Sequence, residues 1–546
     1  MNSPIIVPTP TSMSFSGKWI EFDGFENFPE HFSKDFEIPR GSWSIQKLKK
    51  EGCGVQVAGK TVEIWGDERV CYATLIQLVK QHKGFIPEIK VEESFDFEIR
   101  GFHLDIARGG VPKVETFKKI IRWLFLLKYN FFAIYFEDLY PWKSFNDIGL
   151  SRGRLGKEEY AEIEDYARLY GLHLVPSLEL FGHMENILSL PSYAKYREIW
   201  WSSRDGCLDV SNTEAKSFAL RLLEDVLETS KSVYVHVGGD ETWSLGRGRS
   251  LDKNSRFTGP ELYLDHYKSI ISLVKKYRKI PIVWGDMLSG SYLTEEEKRA
   301  WSCVTKSDIW EQVLIANWDY SSNPQEYFEN LIETVGHKSA QIASPGLSNW
   351  RSFYPDYETA LTNLNNFLLA AKKKRLKGFL VTAWGDDGEE CLFSFLEPLI
   401  LAAIEIAEGI GKWEEGWQAL TGEDQSVIQL RKALGSNSLP QTLRDIIYLN
   451  QRVFKHFEIK NAKDALERIT KMSEGLNLPA DLRFVVDMVR TALSIVQNKA
   501  SVSDYFYLAK SYSALWLNER KPQGLQVVLT KLWGSAAVLD TLREFL

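Results

Sequence analysis

An alternation of apolar runs and helical stretches between residues 96 and 398 constrains the fold more than any other feature of this chain. Most runs are separated by segments of helical periodicity, such as "VETFKKIIRWLFLLK" and "KEEYAEIEDYARLYG". Strands that alternate with helices pair in parallel, and eight such units close into a (β/α)8 TIM barrel. A doubly wound open sheet is the alternative, but no glycine-rich phosphate loop supports a nucleotide site. The eight runs are "IRGFHLDIA", "NFFAIYFEDL", "LHLVPSLELFG", "SVYVHVGGDE", "IPIVWGDM", "VLIANWDY", "SAQIASPG" and "GFLVTAWGDD".

Seven of the eight runs end on side chains that can bind or protonate a ligand. The C-terminal ends of barrel strands converge on one face, and that face carries the active site. We therefore expect a site that is rich in carboxylates and tryptophans. The side chains are Asp105, Glu137, Asp138, Glu179, Asp240, Glu241, Trp284, Asp286, Trp318, Asp319, Trp384 and Asp386.

The barrel has a different type of sequence on each side. Residues 1–95 combine strand-like runs ("VQVAGKTVEIWG") with a helical stretch ("YATLIQLVKQ"), which predicts a small α+β domain before the barrel domain at 96–398. Residues 399–546 have helical periodicity throughout, which predicts an all-α domain. A homodimer with contacts in this domain is a further expectation, although no partner surface is visible in the sequence. Its segment "LWLNERKPQGL" (515–525) contains Pro and Gly and is predicted to connect two helices.

Composition narrows the classes of partner. The net charge is -7 without a basic stripe, so no nucleic-acid partner is expected. The sequence contains no run of about 18 apolar residues, so no membrane span is expected. The N-terminus lacks a basic start followed by an apolar block, so no signal peptide is expected. The five cysteines are scattered and have no metal-ligand spacing, which favours a reduced, cytoplasmic location and no metal or other cofactor.

The segment "VYVHVGGDETW" (233–243) places two acids beside each other after a strand. Cleavage of a glycosidic bond requires a proton donor for the leaving oxygen and stabilisation of the cationic sugar carbon. Along a regular strand Asp240 and Glu241 would point in opposite directions, so they do not suit a facing acid and nucleophile pair. Past the glycines they could act together, one as the acid and the other on a 2-acetamido carbonyl that closes onto the sugar carbon as an oxazolinium ion.

The segment "HVGGDE" resembles the His-x-Gly-Gly-Asp-Glu signature of glycoside hydrolase family 20, the β-N-acetylhexosaminidases. The segments "RGFHLDIAR", "NFFAIYFEDLYPW", "LELFGHMEN" and "VTAWGDD" resemble the first, second, third and eighth strands of that family in order and spacing. The resemblance covers roughly residues 60–390, and the helical C-terminal part is similar to certain bacterial members. It implies an exo-acting retaining enzyme that removes terminal β-linked N-acetylglucosamine from an oligosaccharide or glycoconjugate, with N-acetylgalactosamine left open.

The resemblance also implies roles for individual residues. Glu241 would be the general acid and then the base for water, and Asp240 would orient the acetamido group. Arg100 would hold the hydroxyls at carbons 3 and 4 with its forked donors. Asp138 and His183 would form a relay behind Glu241. The walls of the pocket would be Trp284, Trp318 and Trp384.

Three positions depart from the family pattern. After Trp384 the family has a small residue and then Glu, whereas this chain has Gly385 and Asp386, whose carboxylate is one methylene shorter. At the Tyr that binds the acetamido oxygen, the stretch "SPGLSNWRSFYPD" offers Trp350 by counting, or Tyr354 if the loop shifts. Glu179 stands where the third-strand motif of the family has Asp.

Two other classes of function remain open at this stage. A ring of hard ligands would suit Mg²⁺ or Mn²⁺ in a sugar isomerase built on the same barrel. A carbohydrate-binding protein without catalysis is the second alternative. We interpret His236 as a core histidine and Asp105 as the partner of Arg108 or Arg100 in an ion pair. The six residues of the alternative metal site are His103, Asp105, Glu137, Glu179, His183 and Asp286.

Overall fold

The computed structural model describes residues 2–290, 293–336, 339–450 and 456–542. The first part is a five-stranded sheet with the strand order β1-β5-β3-β4-β2. Its elements are β1 (Ser12–Glu21), α1 (Glu30–Phe36), β2 (Ser44–Lys47), β3 (Cys53–Ala58), β4 (Thr61–Trp65), α2 (Glu68–Gln81) and β5 (Phe85–Glu93). One face of the sheet packs on α2, and the opposite side of α2 contacts the barrel part, where Gln77 donates to the Leu126 carbonyl at 2.7 Å. Nine consecutive residues of α2, from Val70 to Leu78, are therefore buried.

The next eight strands form a closed parallel barrel, as the alternating pattern predicts. The strands are β6 (Ile99–Asp105), β7 (Phe131–Tyr135), β8 (His173–Ser177), β9 (Tyr234–His236), β10 (Ile280–Trp284), β11 (Leu314–Trp318), β12 (Ala340–Ser344) and β13 (Gly378–Ala383). The barrel closes where β13 pairs with β6, from Gly378 opposite Ile99 to Ala383 opposite Leu104. Each predicted run contains one strand, and most runs continue into the loop that follows, where the polar residues lie.

Helices surround the barrel and connect its strands. The major helices of the ring are α3 (Val114–Leu126), α4 (Lys157–Leu169), α6 (Thr213–Thr229), α8 (Gly259–Lys276), α12 (Gln325–Val335), α13 (Tyr357–Lys373) and α14 (Glu397–Glu408). Shorter helices lie in the loops: α5 (Glu185–Leu188), α7 (Arg249–Asn254), α9 (Asp286–Ser289), α10 (Glu295–Ala300) and α11 (Ser302–Thr305). Among the described residues, α9, α10 and α11 lie in the connection between β10 and β11. Because α14 packs on the barrel through bonds such as Tyr129 Oη to the Ile400 carbonyl, the ring runs past residue 398.

The C-terminal part is helical, as predicted. It contains α15 (Trp413–Thr421), α16 (Gln425–Leu434), α17 (Leu439–Ile447), α18 (His456–Met472), α19 (Ala480–Val496), α20 (Val502–Glu519) and α21 (Leu525–Leu542). Within the described residues, no helix combines the length and apolar character that crossing a membrane requires. The five cysteines are unbridged. The exact domain boundaries, the cellular location and a homodimer stay predictions.

Candidate active site

A cavity of about 310 Å³ opens at the C-terminal ends of the barrel strands. Its volume is at the lower end of the range for small-molecule sites, and its walls combine charged and aromatic side chains. Loops that follow six different strands contribute to it, so residues far apart in sequence meet there. The lining residues are Arg108, His183, Asp240, Glu241, Trp318, Tyr320, Trp350, Arg351, Trp384 and Asp386.

Two glycines turn the chain out of β9 just before the acid pair. Gly238 and Gly239 have φ values of 65° and 107°, a region that L side chains rarely adopt. A Cβ at Gly238 would lie 2.2 Å from Glu179 Oε2, and one at Gly239 would lie 2.1 Å from Tyr267 Oη. Because the strand ends at His236, Asp240 and Glu241 escape the alternation that would separate them along a regular strand.

His183 lies between the two acids and contacts both. Its Nε2 is 3.4 Å from Asp240 Oδ2 and 3.2 Å from Glu241 Oε2. Burial opposes the imidazolium, but the negative charge of Asp240 and the bonds to both acids raise the pKa of His183 well above its usual value. Burial likewise opposes ionisation of Asp240, and the charge of His183 outweighs it and lowers the pKa of Asp240. The site therefore favours a protonated His183 beside an ionised Asp240.

The acids differ in their exposure and in their remaining hydrogen-bonding capacity. The Glu241 side chain is 43% exposed, which suits a group that must reach a leaving oxygen, whereas the Asp240 side chain is 9% exposed. Asp240 Oδ1 is buried and has no hydrogen-bond partner in the described part of the chain. A buried acceptor without a donor is costly, so this oxygen is a ready partner for an N–H group of a ligand.

Asp286, the first residue of α9 just after β10, supports the acid pair. Its Oδ2 accepts the backbone N–H of Glu241 at 3.0 Å, and its Oδ1 accepts the indole N–H of Trp318 at 3.4 Å. Burial and the neighbouring charge of Asp240 raise the pKa of Asp286 to about 8, so it is neutral at pH 7. Asp286 thus connects the acid loop to an aromatic wall without adding a negative charge of its own.

Arg108 and Asp386 border the other side of the cavity. Arg108 Nη1 is 3.1 Å from Asp105 Oδ2 and 3.4 Å from Glu137 Oε1, and its guanidinium lies 5.5 Å from the ring centroid of Trp384. Asp105 also accepts the backbone N–H of Gly385 at 2.9 Å. The first and eighth strands thereby place a cation and a carboxylate on the same wall, an arrangement that suits adjacent hydroxyls.

Aromatic rings form the remaining wall. Trp318 stacks on Tyr320 with 5.1 Å between ring centroids, and Trp350 packs on Tyr320 at the same separation. The Tyr320 hydroxyl accepts the indole N–H of Trp384 at 2.7 Å, which joins the two sides of the wall. Trp284 was predicted as a wall of the cavity, but it is completely buried and is not among the lining residues. It packs behind Trp384, with 6.0 Å between ring centroids, and on His236 at 4.2 Å.

The segment at residues 97–391 matches the model of glycosyl hydrolase family 20, catalytic domain. This match spans more than half of the chain and coincides with the barrel and its acid loop. The chain belongs to glycosyl hydrolase family 20. Human hexosaminidase D is 28% identical over 53% of this chain and 61% of its own length, so the alignment covers less than two thirds of that relative.

Solved family structures share the fold. The β-N-acetylhexosaminidase of Bacteroides fragilis NCTC 9343 has a TM-score of 0.59 at 20% identity and covers 78% of this chain and 96% of its own. The chitobiase of Flavobacterium johnsoniae has a TM-score of 0.58 at 15% identity and covers 98% of this chain and 99% of its own. At these identities the likeness concerns the fold alone.

Most of the predicted site residues of this family 20 chain meet at the cavity. Besides Trp284, three predictions need correction. Arg100 lies at the N-terminal end of β6, where it donates to the carbonyls of Phe97 and Lys128, because the start of a barrel strand is opposite the active-site face. The residues that do line the cavity are Asp240, Glu241, His183, Trp318, Trp350, Trp384 and Asp386.

Asp138 and Tyr354 are the other two corrections. Asp138 forms an ion pair with Arg152, and no described contact joins it to His183. Its neighbour Glu137, whose own φ is 45°, is the acid beside His183, since ligand atoms of these two side chains lie within 4.8 Å of each other. Tyr354 is buried among aromatic residues and donates to the Arg431 carbonyl at 3.3 Å, so it lies in the core between barrel and helical region.

Sequence reasoning also missed residues that line the cavity. Arg108 follows the C-terminal end of β6 in "LDIAR", and the polarity of barrel strands could have selected it over Arg100. Tyr320 is the last residue of the sixth apolar run, and the strand pattern gives no signal that its hydroxyl reaches the indole of Trp384. Arg351 lies in the loop after β12 with a positive φ of 52°. Strand and helix periodicity do not predict the geometry of such a loop.

The six residues of the alternative metal site do not come together as one set. His103 Nε2 faces Ser177 Oγ at 3.3 Å, and burial lowers the pKa of this histidine well below its usual value. Among the described residues, the group with ligand atoms within 4.8 Å of one another consists of Glu137, His183 and Glu185. This group shares His183 with the acid pair, where protonation of the imidazole opposes metal binding.

Proposed function

We propose that this family 20 chain is an exo-acting, retaining β-N-acetylhexosaminidase. Its substrate class is an oligosaccharide or glycoconjugate with a terminal β-linked N-acetylglucosamine, and N-acetylgalactosamine is left open. The observation that carries the proposal is the arrangement of Asp240, His183 and Glu241, in which one histidine contacts both acids and Asp240 keeps a buried oxygen without a described partner.

In the first step, Glu241 donates its proton to the glycosidic oxygen while the acetamido carbonyl of the substrate attacks the anomeric carbon. The glycosidic C–O bond breaks, a C–O bond to the carbonyl forms, and the product is an oxazolinium ion. Asp240 accepts the acetamido N–H, and its negative charge stabilises the positive charge that develops on this group. The sugar thus supplies the nucleophile, so Asp240 and Glu241 need not face each other across the bond.

In the second step, water opens the oxazolinium ion at the anomeric carbon. Glu241, now ionised, takes the proton of that water as general base and returns to its acid form. Two inversions at the same carbon give net retention of configuration. On the opposite wall, Arg108 and Asp386 bind the sugar hydroxyls, and the faces of Trp318 and Trp384 pack on its C–H groups.

The direct experiment measures hydrolysis of 4-nitrophenyl β-N-acetylglucosaminide, with and without EDTA. Glu241→Gln should lower kcat by at least about 100-fold, and Asp240→Asn by a similar factor, because each removes charge or proton transfer that the transition state needs. Glu326→Gln is a matched control on the exposed surface and should retain wild-type rates. Wild-type turnover in both site variants, or loss of activity with EDTA, would contradict the proposal.

A further inference from the structure

The turn between α20 and α21 in the helical C-terminal region lies against two loops of the active-site face. It comprises residues 520–524. One of the loops, residues 106–113, follows β6 and carries Arg108. The other, residues 384–392, follows β13 and carries Asp386. These two loops contribute the charged wall of the cavity opposite the acid pair.

Arg520 binds the backbone of the second loop. Its Nη1 donates to the Glu389 carbonyl at 2.6 Å, and its Nη2 donates to the Cys391 carbonyl. The guanidinium also lies 4.6 Å from the ring centroid of Trp516, which fixes its plane. The Arg520 side chain is only 5% exposed, so a charged group has been desolvated to make these contacts. Such bonds from a charged donor are stronger than neutral ones.

The same turn binds the backbone of the first loop. The Lys521 N–H donates to the Val111 carbonyl at 2.8 Å, and the Lys113 N–H donates to the Glu519 carbonyl at 3.0 Å. Gly524 packs so closely on this loop that a Cβ there would lie 2.2 Å from the Gly109 carbonyl oxygen. The contact reaches the residue directly after Arg108.

Glu389 fills the space between the two loops. A Cβ at Gly110 would lie 2.0 Å from its Cγ, and a Cβ at Gly385 would lie 1.6 Å from its Oε2, so both glycines are needed for this approach. Its Oε1 is 3.9 Å from Arg520 Nη2. Burial and the charge of Asp105 raise the pKa of Glu389 well above its usual range, although Arg520 and Arg108 act in the opposite direction.

We propose that the turn at residues 520–524 is a positioning element of the active site. Arg520 holds the loop of Asp386, and Gly524 with Lys521 holds the loop of Arg108, so that both charged groups meet the same sugar. The inference rests on the proposed function, because it assigns the two loops to the binding of sugar hydroxyls. Arg520 and Gly524 are positioning residues and do not themselves line the cavity.

The expected effect is on substrate binding. Arg108 and Asp386 contact hydroxyls that do not react, so these contacts contribute to the bound substrate and to the transition state alike. Arg520→Ala should therefore raise KM for 4-nitrophenyl β-N-acetylglucosaminide about tenfold and change kcat by less than about threefold. Arg520→Lys retains the charge but, with a single nitrogen, can replace only one of the two guanidinium N–H groups that bind the loop. It should therefore give an intermediate KM.

The test measures kcat, KM and Tm for four variants of the full chain. Gly524→Ala acts on the other loop and should also raise KM selectively, and it decides the question if Arg520→Ala fails to fold. Arg490→Ala is the control in the same helical region, where Arg490 is 49% exposed and pairs with Asp487 at 3.0 Å. It should retain wild-type kcat and KM.

Two outcomes would overturn the inference. Folded Arg520→Ala and Gly524→Ala variants with wild-type KM would show that the turn does not position the loops. A lower kcat at unchanged KM, together with a lower Tm, would show that it contributes stability alone. The failure of the proposed function is distinguishable, since the wild-type chain would then not hydrolyse the substrate at all, and the inference would fall with it.

Discussion

The two ends of the barrel contain similar charged residues but use them differently. At the N-terminal end, Lys128 and Glu93 form an ion pair of 2.6 Å with both side chains almost fully buried, and Arg100 binds two backbone carbonyls. At the C-terminal end, Asp240 and Glu241 border a cavity, and Asp240 retains a buried oxygen without a described partner. Buried charge is costly unless it is paired, so the ion pair and the arginine bonds at the N-terminal end indicate a role in stability. The Asp240 oxygen indicates a ligand site because its residue also lines a cavity.

Within this comparison of the two barrel ends, the largest expected effect on activity distinguishes Arg108, in the loop after β6, from Arg100, at the start of β6. Arg108→Ala removes a charged donor from the cavity wall and should lower kcat/KM for the aryl glucosaminide by about 100-fold. Arg100→Ala breaks bonds at the opposite end and should lower Tm while the folded enzyme keeps its kcat/KM. Steady-state kinetics and thermal unfolding of both variants check this. The reverse assignment of the two effects would contradict the comparison.

The pH dependence of stability tests the charge balance at the C-terminal end. An unfolded aspartate ionises near pH 4, at about its usual pKa. Since the folded pKa of Asp286 is about 8, the folded state holds a proton across this interval that the unfolded state has lost. The stability contributed by this group is present below about pH 4 and falls as the pH rises towards 8.

Asp286→Asn removes this titration. Relative to the wild-type protein, the variant should gain stability between pH 5 and pH 8 by more than about 1.4 kcal/mol, the equivalent of one pKa unit. Urea unfolding at the two pH values measures the difference, with Glu326→Gln as the control. Parallel stability profiles for the wild type and Asp286→Asn would contradict a raised pKa at this position.

The smallest expected effect distinguishes a cavity tyrosine from a core tyrosine. Tyr320→Phe removes the acceptor of the Trp384 indole N–H and should raise KM about fivefold, in line with the loss of one hydrogen bond. Tyr354→Phe removes a bond to the Arg431 carbonyl in the core and should leave KM unchanged. An increase in KM for Tyr354→Phe alone would restore the sequence-based prediction that Tyr354 binds the substrate.

The fold was predictable because strand and helix periodicities alternate in eight units, and each unit has a strong local pattern. The acids were predictable because barrel strands end on the active-site face. Arg100 and Arg108 show where this reasoning failed, since a motif match selected the arginine at the wrong end of the strand. Asp138 and Glu137 show another limit, because the sequence does not reveal which of two adjacent acids after β7 approaches His183 and which one pairs with Arg152.

The contacts of the helical region with the barrel could not be predicted from the sequence. The Pro and Gly of residues 515–525 predict a connection between helices, and the segment does join α20 to α21. Its packing against the loops of Arg108 and Asp386 depends on tertiary structure, because these segments are separated by more than 120 residues along the chain. Periodicity carries no information about such long-range packing.

The central claim is that the amide of the substrate attacks its own sugar carbon with the help of Asp240. The most direct measurement compares kcat/KM for 4-nitrophenyl β-N-acetylglucosaminide with that for the β-glucoside, which lacks the amide, in the wild type and in Asp240→Asn. We expect a preference of about three orders of magnitude for the amide-bearing substrate in the wild type, and most of it should be lost in Asp240→Asn. Equal cleavage of both substrates by the wild type, or an undiminished preference in the variant, would contradict the account.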